Sequence, residues 1–199
     1  MGNRAFVVPE GKTTGVYLHW NGGRDSVEAF LEYCKLRSFR NFGGKHADGY
    51  GLARFTQIVA NFFGGDLSIG IEQDIKDSDA DVCDNGIYYV GGESGWDIVR
   101  RVPEDICEQD AYDRIEMLIA IDKAQPKSER FGKKYFKATP ISIDDIKVGD
   151  EIVFIGNIDG RAVSGKVCGK DKFDRWMIDK ESKYGGNILV SKQGLRKIK

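Results

Sequence analysis

Polar side chains gather where a predicted strand meets a predicted helix, in the stretch GVYLHWNGGRDSVEAFLEYCKLRSFR. His19, Asn21 and Arg24 lie beside the glycine pair Gly22 and Gly23, directly before the helix. A helix N-terminus offers free N–H groups and a partial positive charge, so these residues could bind a phosphate or a partner's carboxylate. The alternative is a capped helix in which Arg24 pairs with a local acid and His19 packs under the sheet. The stretch lacks the length and the lysine of a GxxxxGK[ST] phosphate-binding loop.

The segment EQDIKDSDADVCDNG is the most acidic part of the chain. Asp77, Asp79 and Asp81 recur at every second position, as the ligands of a calcium loop do. That loop needs a glycine and a glutamate at positions where this chain has valine and tyrosine, which excludes a calcium site. Two interpretations are left open. The segment is either a solvated acidic loop or a row of carboxylates that imitates phosphates and binds a partner.

The C-terminal part of the chain combines basic and aromatic residues, as nucleic-acid-binding surfaces do. The candidate contacts are Lys133, Lys134, Lys166, Lys170, Lys172, Arg175 and Trp176. Residues 1–127 carry a net charge of −7, whereas residues 128–139 and 140–199 carry +3 each. An acidic body with a basic tail favours two surfaces with different partners, although scattered solvated charge is the alternative.

The sequence contains no motif typical of catalysis. GxSxG, HExxH and GxGxxG are all absent. The four cysteines form no CxxC pair and the chain has only two histidines, so a zinc cluster is not expected. We therefore expect a non-enzymatic binding protein with no cofactor and no metal.

The elements around these residues predict an α+β fold. Apolar residues at helical spacing predict three helices. The first begins at Asp25 or Ser26, the second covers residues 50–63 and the third covers residues 110–123. The third helix is expected to bury Tyr112, Ile115, Leu118 and Ile119. Alternating runs predict a mixed sheet with strands at residues 5–8, 15–20, 67–71, 86–90 and 96–102. Because the strand at 15–20 has large side chains on both faces, it is expected inside the sheet.

Residues 140–199 predict a second domain, a small SH3-like β-barrel. Five short strands are expected, the last after a tight turn, at residues 151–155, 161–168, 175–179, 187–190 and 195–198. Residues 128–139 are basic and weakly periodic, which predicts a linker with a strand over Lys134 to Lys137. The domain boundaries predicted in this way are 1–127, 128–139 and 140–199.

The sequences YLHWNGGRDSVEAFLEY and NFFGGDLSIGI resemble a family of small proteins from phages and other mobile elements. Within these, the resemblance is to the anti-defence proteins of such elements, specifically anti-CRISPR inhibitors of type II effectors (Cas9). The resemblance covers roughly residues 1–125 and implies a partner class, a host nuclease of the Cas9 type. It carries over no list of functional residues.

The sequence and the resemblance together predict a protein that inhibits a host defence nuclease by binding it and that could also contact DNA or guide RNA. The alternatives are a small-molecule binder, such as a sponge for a nucleotide immune signal, or an enzyme, either of them using the junction at Gly22–Arg24. No apolar run is long enough to span a membrane, so we expect no membrane partner. No secretory signal is recognised, so we expect the protein in the host cytoplasm. The sequence does not specify the target or the oligomeric state.

Overall fold

A computed structural model describes residues 2–65, 68–106, 113–156, 161–181 and 187–198. The chain divides into two compact units, residues 1–125 and 126–199. Helices and mostly antiparallel sheets occur together, so the predicted α+β class is confirmed. Among the residues described, no helix is both long and apolar enough to cross a membrane.

The first unit is built on a mixed sheet in which the first strand of the chain is central. The strands are β1 (Ala5–Pro9), β2 (Gly15–Leu18), β3 (Ile69–Glu72), β4 (Ile87–Gly91) and β5 (Asp97–Val102). Their order is β3-β2-β1-β4-β5, with β1 and β4 parallel and the other neighbours antiparallel. The prediction that the strand at 15–20 is internal is confirmed, because β2 lies between β3 and β1. Leu67, which was predicted to belong to β3, lies outside the described residues.

Two of the helices match their predicted patterns closely. They are α1 (Arg24–Leu36) and α2 (Gly49–Phe63). The predicted apolar stripe of α1, Val27, Phe30, Leu31 and Cys34, is buried. The Asp48 side chain caps α2 by accepting hydrogen bonds from two backbone N–H groups, and the helix ends at Gly64 in the left-handed conformation, with φ of 68°.

The buried face of α3 (Arg114–Ala124) differs from the prediction. Ile115 is 45% exposed, and Tyr112 lies outside the described residues. The side chains that α3 buries are Met117, Leu118, Ile121 and Asp122. In this orientation the Arg114 guanidinium donates to the carboxylates of Glu28 and Glu32 on α1, at 2.8 Å in each case. The buried Asp122 accepts from the Tyr33 hydroxyl at 2.9 Å.

The acidic segment covers one face of the sheet. Its 3-10 helix (Asp77–Val82) and the residues around it contribute Ile75, Ala80 and Cys83 to a cluster with Phe6, Val8, Ile87 and Tyr89. Ala5 and Val7 alternate with Phe6 and Val8 along β1 and are also fully buried. The sheet therefore has buried side chains on both faces, and the segment is part of the fold rather than a freely solvated loop.

The second unit contains a second, antiparallel sheet. Its strands are β6 (Thr139–Pro140), β7 (Glu151–Ile155), β8 (Ala162–Lys170), β9 (Trp176–Glu181), β10 (Asn187–Leu189) and β11 (Arg196–Lys197). Their order is β10-β9-β8-β7-β11-β6. The five strands predicted for this part of the chain are present, and Ile152, Phe154, Val167 and Ile178 are in their core.

A short helix, α4 (Lys133–Lys137), stands where a strand was predicted, so that strand prediction is wrong. Tyr135 and Phe136 are buried, and Tyr135 stacks on Phe131 with ring centroids 5.0 Å apart. Phe131 precedes the helix, and its ring also contacts that of Phe136, with centroids 5.9 Å apart. Arg196 also lies over the Tyr135 ring, at 4.8 Å. Much of segment 128–139, predicted as a linker, therefore packs within the second unit.

Candidate nucleic-acid interface

The loop between β8 and β9 presents an aromatic ring on a well-defined turn. Lys170 and Trp176 form the last pair of the two strands. Inside the loop, Oδ1 of Asp171 accepts hydrogen bonds from the backbone N–H groups of Phe173 and Arg175, at 2.9 Å each. A side chain that closes the turn in this way reduces the number of loop conformations. Phe173 lies at the tip and is 65% exposed.

Cations lie over both aromatic rings of this hairpin. Nζ of Lys172 and Cζ of Arg175 are each 5.1 Å from the centroid of the Phe173 ring. Nζ of Lys170 is 4.8 Å from the centroid of the Trp176 ring. Cation–aromatic contacts at these distances are attractive, and they also place positive charge next to a flat apolar surface. We call the loop and its flanking residues, 170–176, the cationic hairpin.

Two carboxylates partly neutralise the cationic hairpin. Oδ2 of Asp171 accepts from Nε and Nη2 of Arg175, at 2.9 and 2.7 Å, and this hydrogen bonding is the main reason that the pKa of Asp171 is lowered. Oδ1 of Asp174 accepts from Nζ of Lys170 at 2.8 Å. A phosphate must therefore compete with these carboxylates for Lys170 and Arg175. Of the three cations of the hairpin, Lys172 is the one that forms no ion pair with another described residue.

A cleft of about 630 Å³ opens beside the cationic hairpin. Its apolar wall consists of Trp176, Ile143, Leu189 and Val190. Lys170, Arg175 and Lys192 supply positive charge, and Asp144 and Asp174 supply negative charge. A cleft of this size with an apolar wall and a few polar groups is of the kind that holds small ligands.

The structure brings together only part of the predicted basic set. Lys170, Lys172, Arg175 and Trp176 all belong to the cationic hairpin. Lys166 is exposed further along β8, opposite Glu151 of β7. Lys133 and Lys134 are exposed on α4. The sequence prediction did not include Phe173 or Lys192. The run KDKFDR was a usable signal for Phe173, because charged residues on both sides place this aromatic residue in an exposed turn.

The polar side chains of the glycine junction have neighbours within the first unit. The Tyr17 hydroxyl lies 3.0 Å from Nδ1 of His19, and Nε of Arg24 donates to Oε1 of Glu28 at 2.8 Å. Asn21, with φ of 53°, lies 3.5 Å from the Ser26 hydroxyl through its side-chain amide. The Arg24–Glu28 pair agrees with the alternative in which Arg24 pairs with a local acid, whereas α1 begins after Gly23, which makes no side-chain capping hydrogen bond.

The two glycines have different surroundings. A Cβ on Gly22 would lie 2.6 Å from the backbone oxygen of Asn3, and the Gly22 N–H donates to that oxygen at 2.8 Å. Gly23 precedes α1 as its N-cap, and the atoms nearest to a Cβ there belong to side chains, the closest being the Asp25 carboxylate oxygen at 2.8 Å. That same oxygen accepts from the Ser26 N–H at 2.7 Å, so a carboxylate already occupies the start of the helix. Gly22 therefore serves the close approach of two backbone segments.

The three predicted carboxylates of the acidic segment differ in role. Asp77 accepts from the Arg100 guanidinium at 2.6 and 3.1 Å and from the Tyr89 hydroxyl at 2.7 Å, and its pKa is lowered mainly by Arg100. Asp79 caps the 3-10 helix by accepting from the Lys76 N–H at 2.8 Å. Asp81 is exposed. Of the three, Asp81 is the side chain best placed to meet a partner.

Cysteines and other potential metal ligands are also present among the described residues. Among the described residues, no group of His, Cys, Asp and Glu is arranged to hold a metal ion. The thiols of Cys34 and Cys83 are buried and that of Cys168 is exposed, all three without a disulfide. No protein-family model, curated protein or solved structure matches the chain.

Proposed function

We propose that this chain is a non-enzymatic binding protein that contacts nucleic acid through the cationic hairpin. The observation that carries the proposal is the exposed ring of Phe173 with Lys172 and Arg175 at 5.1 Å, next to the Lys170–Trp176 pair. Lysine and arginine attract phosphates whatever the base sequence. An exposed aromatic ring adds a surface on which a base can stack.

We also propose that residues 140–199 form an SH3-like β-barrel. Strands β7 to β10 follow one another as antiparallel neighbours, and β11 returns to pair with β7. Strand β8 changes partner along its length, because residues 162–166 pair with β7 and residues 167–170 pair with β9. An irregularity in pairing at that point supports a bend that lets two short sheets share one core. Barrels of this type bind peptides or nucleic acids.

For the whole chain, we propose an anti-defence role in the host cytoplasm, the inhibition of a Cas9-type nuclease by binding. The proposal is supported by the resemblance over residues 1–125 and by the charge difference between the acidic first unit and the basic second unit. A nuclease bound to its guide presents both basic protein surface and nucleic acid, which would engage the two units in different ways. Asp81 is the candidate contact on the acidic side.

Nucleic-acid contact is tested by fluorescence anisotropy of the full chain with a labelled oligonucleotide over a range of salt concentrations. Log affinity should fall linearly with log salt, by roughly 0.9 per phosphate contact on duplex and 0.7 on a single strand. Reversing the charge at Lys170 and Lys172 together should flatten this slope by about one to two units. Reversing the charge at Lys12 and Lys45 together, two exposed lysines of the first unit, is the matched control and should leave the slope unchanged. Absence of binding at low salt would refute the nucleic-acid contact.

Nuclease inhibition is tested by titrating the full chain against a fixed amount of guide-loaded Cas9-type nuclease. A stoichiometric inhibitor abolishes cleavage at a fixed molar ratio, whereas an enzyme that inactivates the nuclease acts in catalytic amounts. Asp81→Asn should weaken inhibition if the acidic segment binds the nuclease. Asp77 is unsuitable for this test, because its loss also breaks the contacts with Arg100 and Tyr89. Undiminished cleavage at a large excess of the chain would contradict the proposal.

A further inference from the structure

We infer that the ligand of the cationic hairpin and its cleft is a single-stranded nucleic acid, read through base stacking and without sequence preference. This inference rests on the proposed nucleic-acid contact and deepens it. It is carried by the juxtaposition of Phe173, exposed at the tip of an ordered loop, with the apolar wall of the adjacent cleft. Both surfaces suit the flat face of a base, and a duplex hides these faces in its stack.

The charge of the site also favours a single strand. Arg175 and Lys170 are already paired with Asp171 and Asp174, so few cations are left to neutralise phosphates. Affinity that depends on phosphate contacts alone favours duplex, which releases more counterion per contact than a single strand does. Because Phe173 is exposed while Trp176 packs partly against the core of the second unit, stacking on Phe173 supplements these few phosphate contacts, and only unpaired bases offer it.

The cleft provides a path for more than one nucleotide. Trp176 forms part of both the cationic hairpin and the cleft wall, and Leu189 and Val190 continue that wall away from the loop. Lys170 and Lys192 lie on the same cleft, where they can meet the phosphates that link successive bases. Because the Asp171 side chain already orders the loop, binding loses little conformational entropy there.

The test compares a labelled oligo(dT) of about 12 nucleotides, within the site sizes of single-strand-binding domains, with its duplex with oligo(dA). The full chain should bind the single strand more tightly than the duplex at equal salt. Phe173→Ala should lower the affinity for oligo(dT) by about five- to 150-fold, the loss of one stacked base, while the salt slope stays unchanged. Phe173→Trp should retain the affinity, and Lys172→Gln should instead reduce the slope by about 0.7.

Two results would overturn the inference and leave the nucleic-acid contact standing. One is equal or tighter binding of the duplex, and the other is an oligo(dT) affinity that Phe173→Ala does not change. If neither nucleic acid binds at low salt, the proposed contact itself fails, and a peptide becomes the expected occupant of the cleft. Thermal unfolding of Phe173→Ala should match the native chain, because the ring is largely exposed, so loss of folding does not confuse the outcome.

Discussion

Replacing Asp171 with asparagine is predicted to strengthen nucleic-acid binding. In the native loop, Oδ1 of Asp171 holds two backbone N–H groups, and Oδ2 holds the guanidinium of Arg175. Asparagine keeps one carbonyl oxygen for the backbone donors, but its amide nitrogen cannot accept from a guanidinium. The substitution therefore preserves the turn, releases Arg175 and removes one negative charge from the site.

The size of the effect follows from counterion release. One additional phosphate contact steepens the dependence of log affinity on log salt by about 0.7 for a single strand. If the affinity extrapolated to 1 M salt is unchanged, Asp171→Asn binds about fivefold more tightly at roughly 0.1 M salt. The native chain should show a slope of about −1.4 to −2.8, which corresponds to two to four phosphate contacts.

The assay is the fluorescence anisotropy of labelled oligo(dT) across a series of salt concentrations. Asp81→Asn in the first unit is the control, because it removes the same single negative charge as Asp171→Asn. Adding Arg175→Gln to Asp171→Asn should cancel the gain, since the gain acts through that guanidinium. An unchanged slope in Asp171→Asn would show that Arg175 does not reach a phosphate. Weaker binding would show that the carboxylate matters for the shape of the loop more than for its charge.

Three further predictions concern the first unit. Gly22→Ala should lower the free energy of unfolding by at least about 2 kcal/mol, because its Cβ would meet backbone atoms, whereas Gly23→Ala should lower it by less than about 1 kcal/mol; urea unfolding separates the two. Tyr33→Phe removes a buried hydrogen bond of 2.9 Å to Asp122 and should lower the free energy of unfolding by about 1–3 kcal/mol, and an unchanged unfolding midpoint would contradict this. The pKa of Asp84 is lowered to about 2, mainly by its hydrogen bonds with Arg4. The stability that this carboxylate contributes is therefore present above its unfolded pKa of about 3.9 and is lost as the pH falls toward 2. Chemical unfolding from pH 7 to 2 should show the native chain losing its advantage over Asp84→Asn only below about pH 4, and an advantage that does not depend on pH would rule out this assignment.

The spacing of apolar residues predicted correctly those helices and strands whose packing depends on apolar side chains. The stripe of α1 and the internal position of β2 follow directly from spacing and from large side chains on both faces. The rotation of α3 did not follow, because the contacts of its Arg114 and Asp122 are with residues of α1 more than eighty positions away. The pattern of a short helix such as α4 is also indistinguishable from that of a strand over five residues.

The candidate sites were predictable only in part for the same reason. A run of aspartates is interpreted as a free acidic surface unless the partner cation is known, and Asp77 pairs with Arg100 of β5, which lies 23 residues further along the chain. The basic residues of the cationic hairpin were found because they are close in sequence. Phe173 could have been added from its place in the charged run KDKFDR, whereas Lys192 reaches the cleft only through the fold.

The central position of β1 has a consequence for synthesis of the protein. Residues Phe6 to Pro9 pair in parallel with Ile87 to Val90, so the middle of the sheet joins segments about eighty residues apart. Such non-local pairing raises the contact order and slows folding relative to a helical bundle. On the ribosome, β1 emerges first and must wait, paired at most with its hairpin partner β2, until β4 has also left the exit tunnel. During that interval one edge of β1, which carries mostly apolar side chains, lacks the strand that covers it in the folded first unit and can pair with other strands.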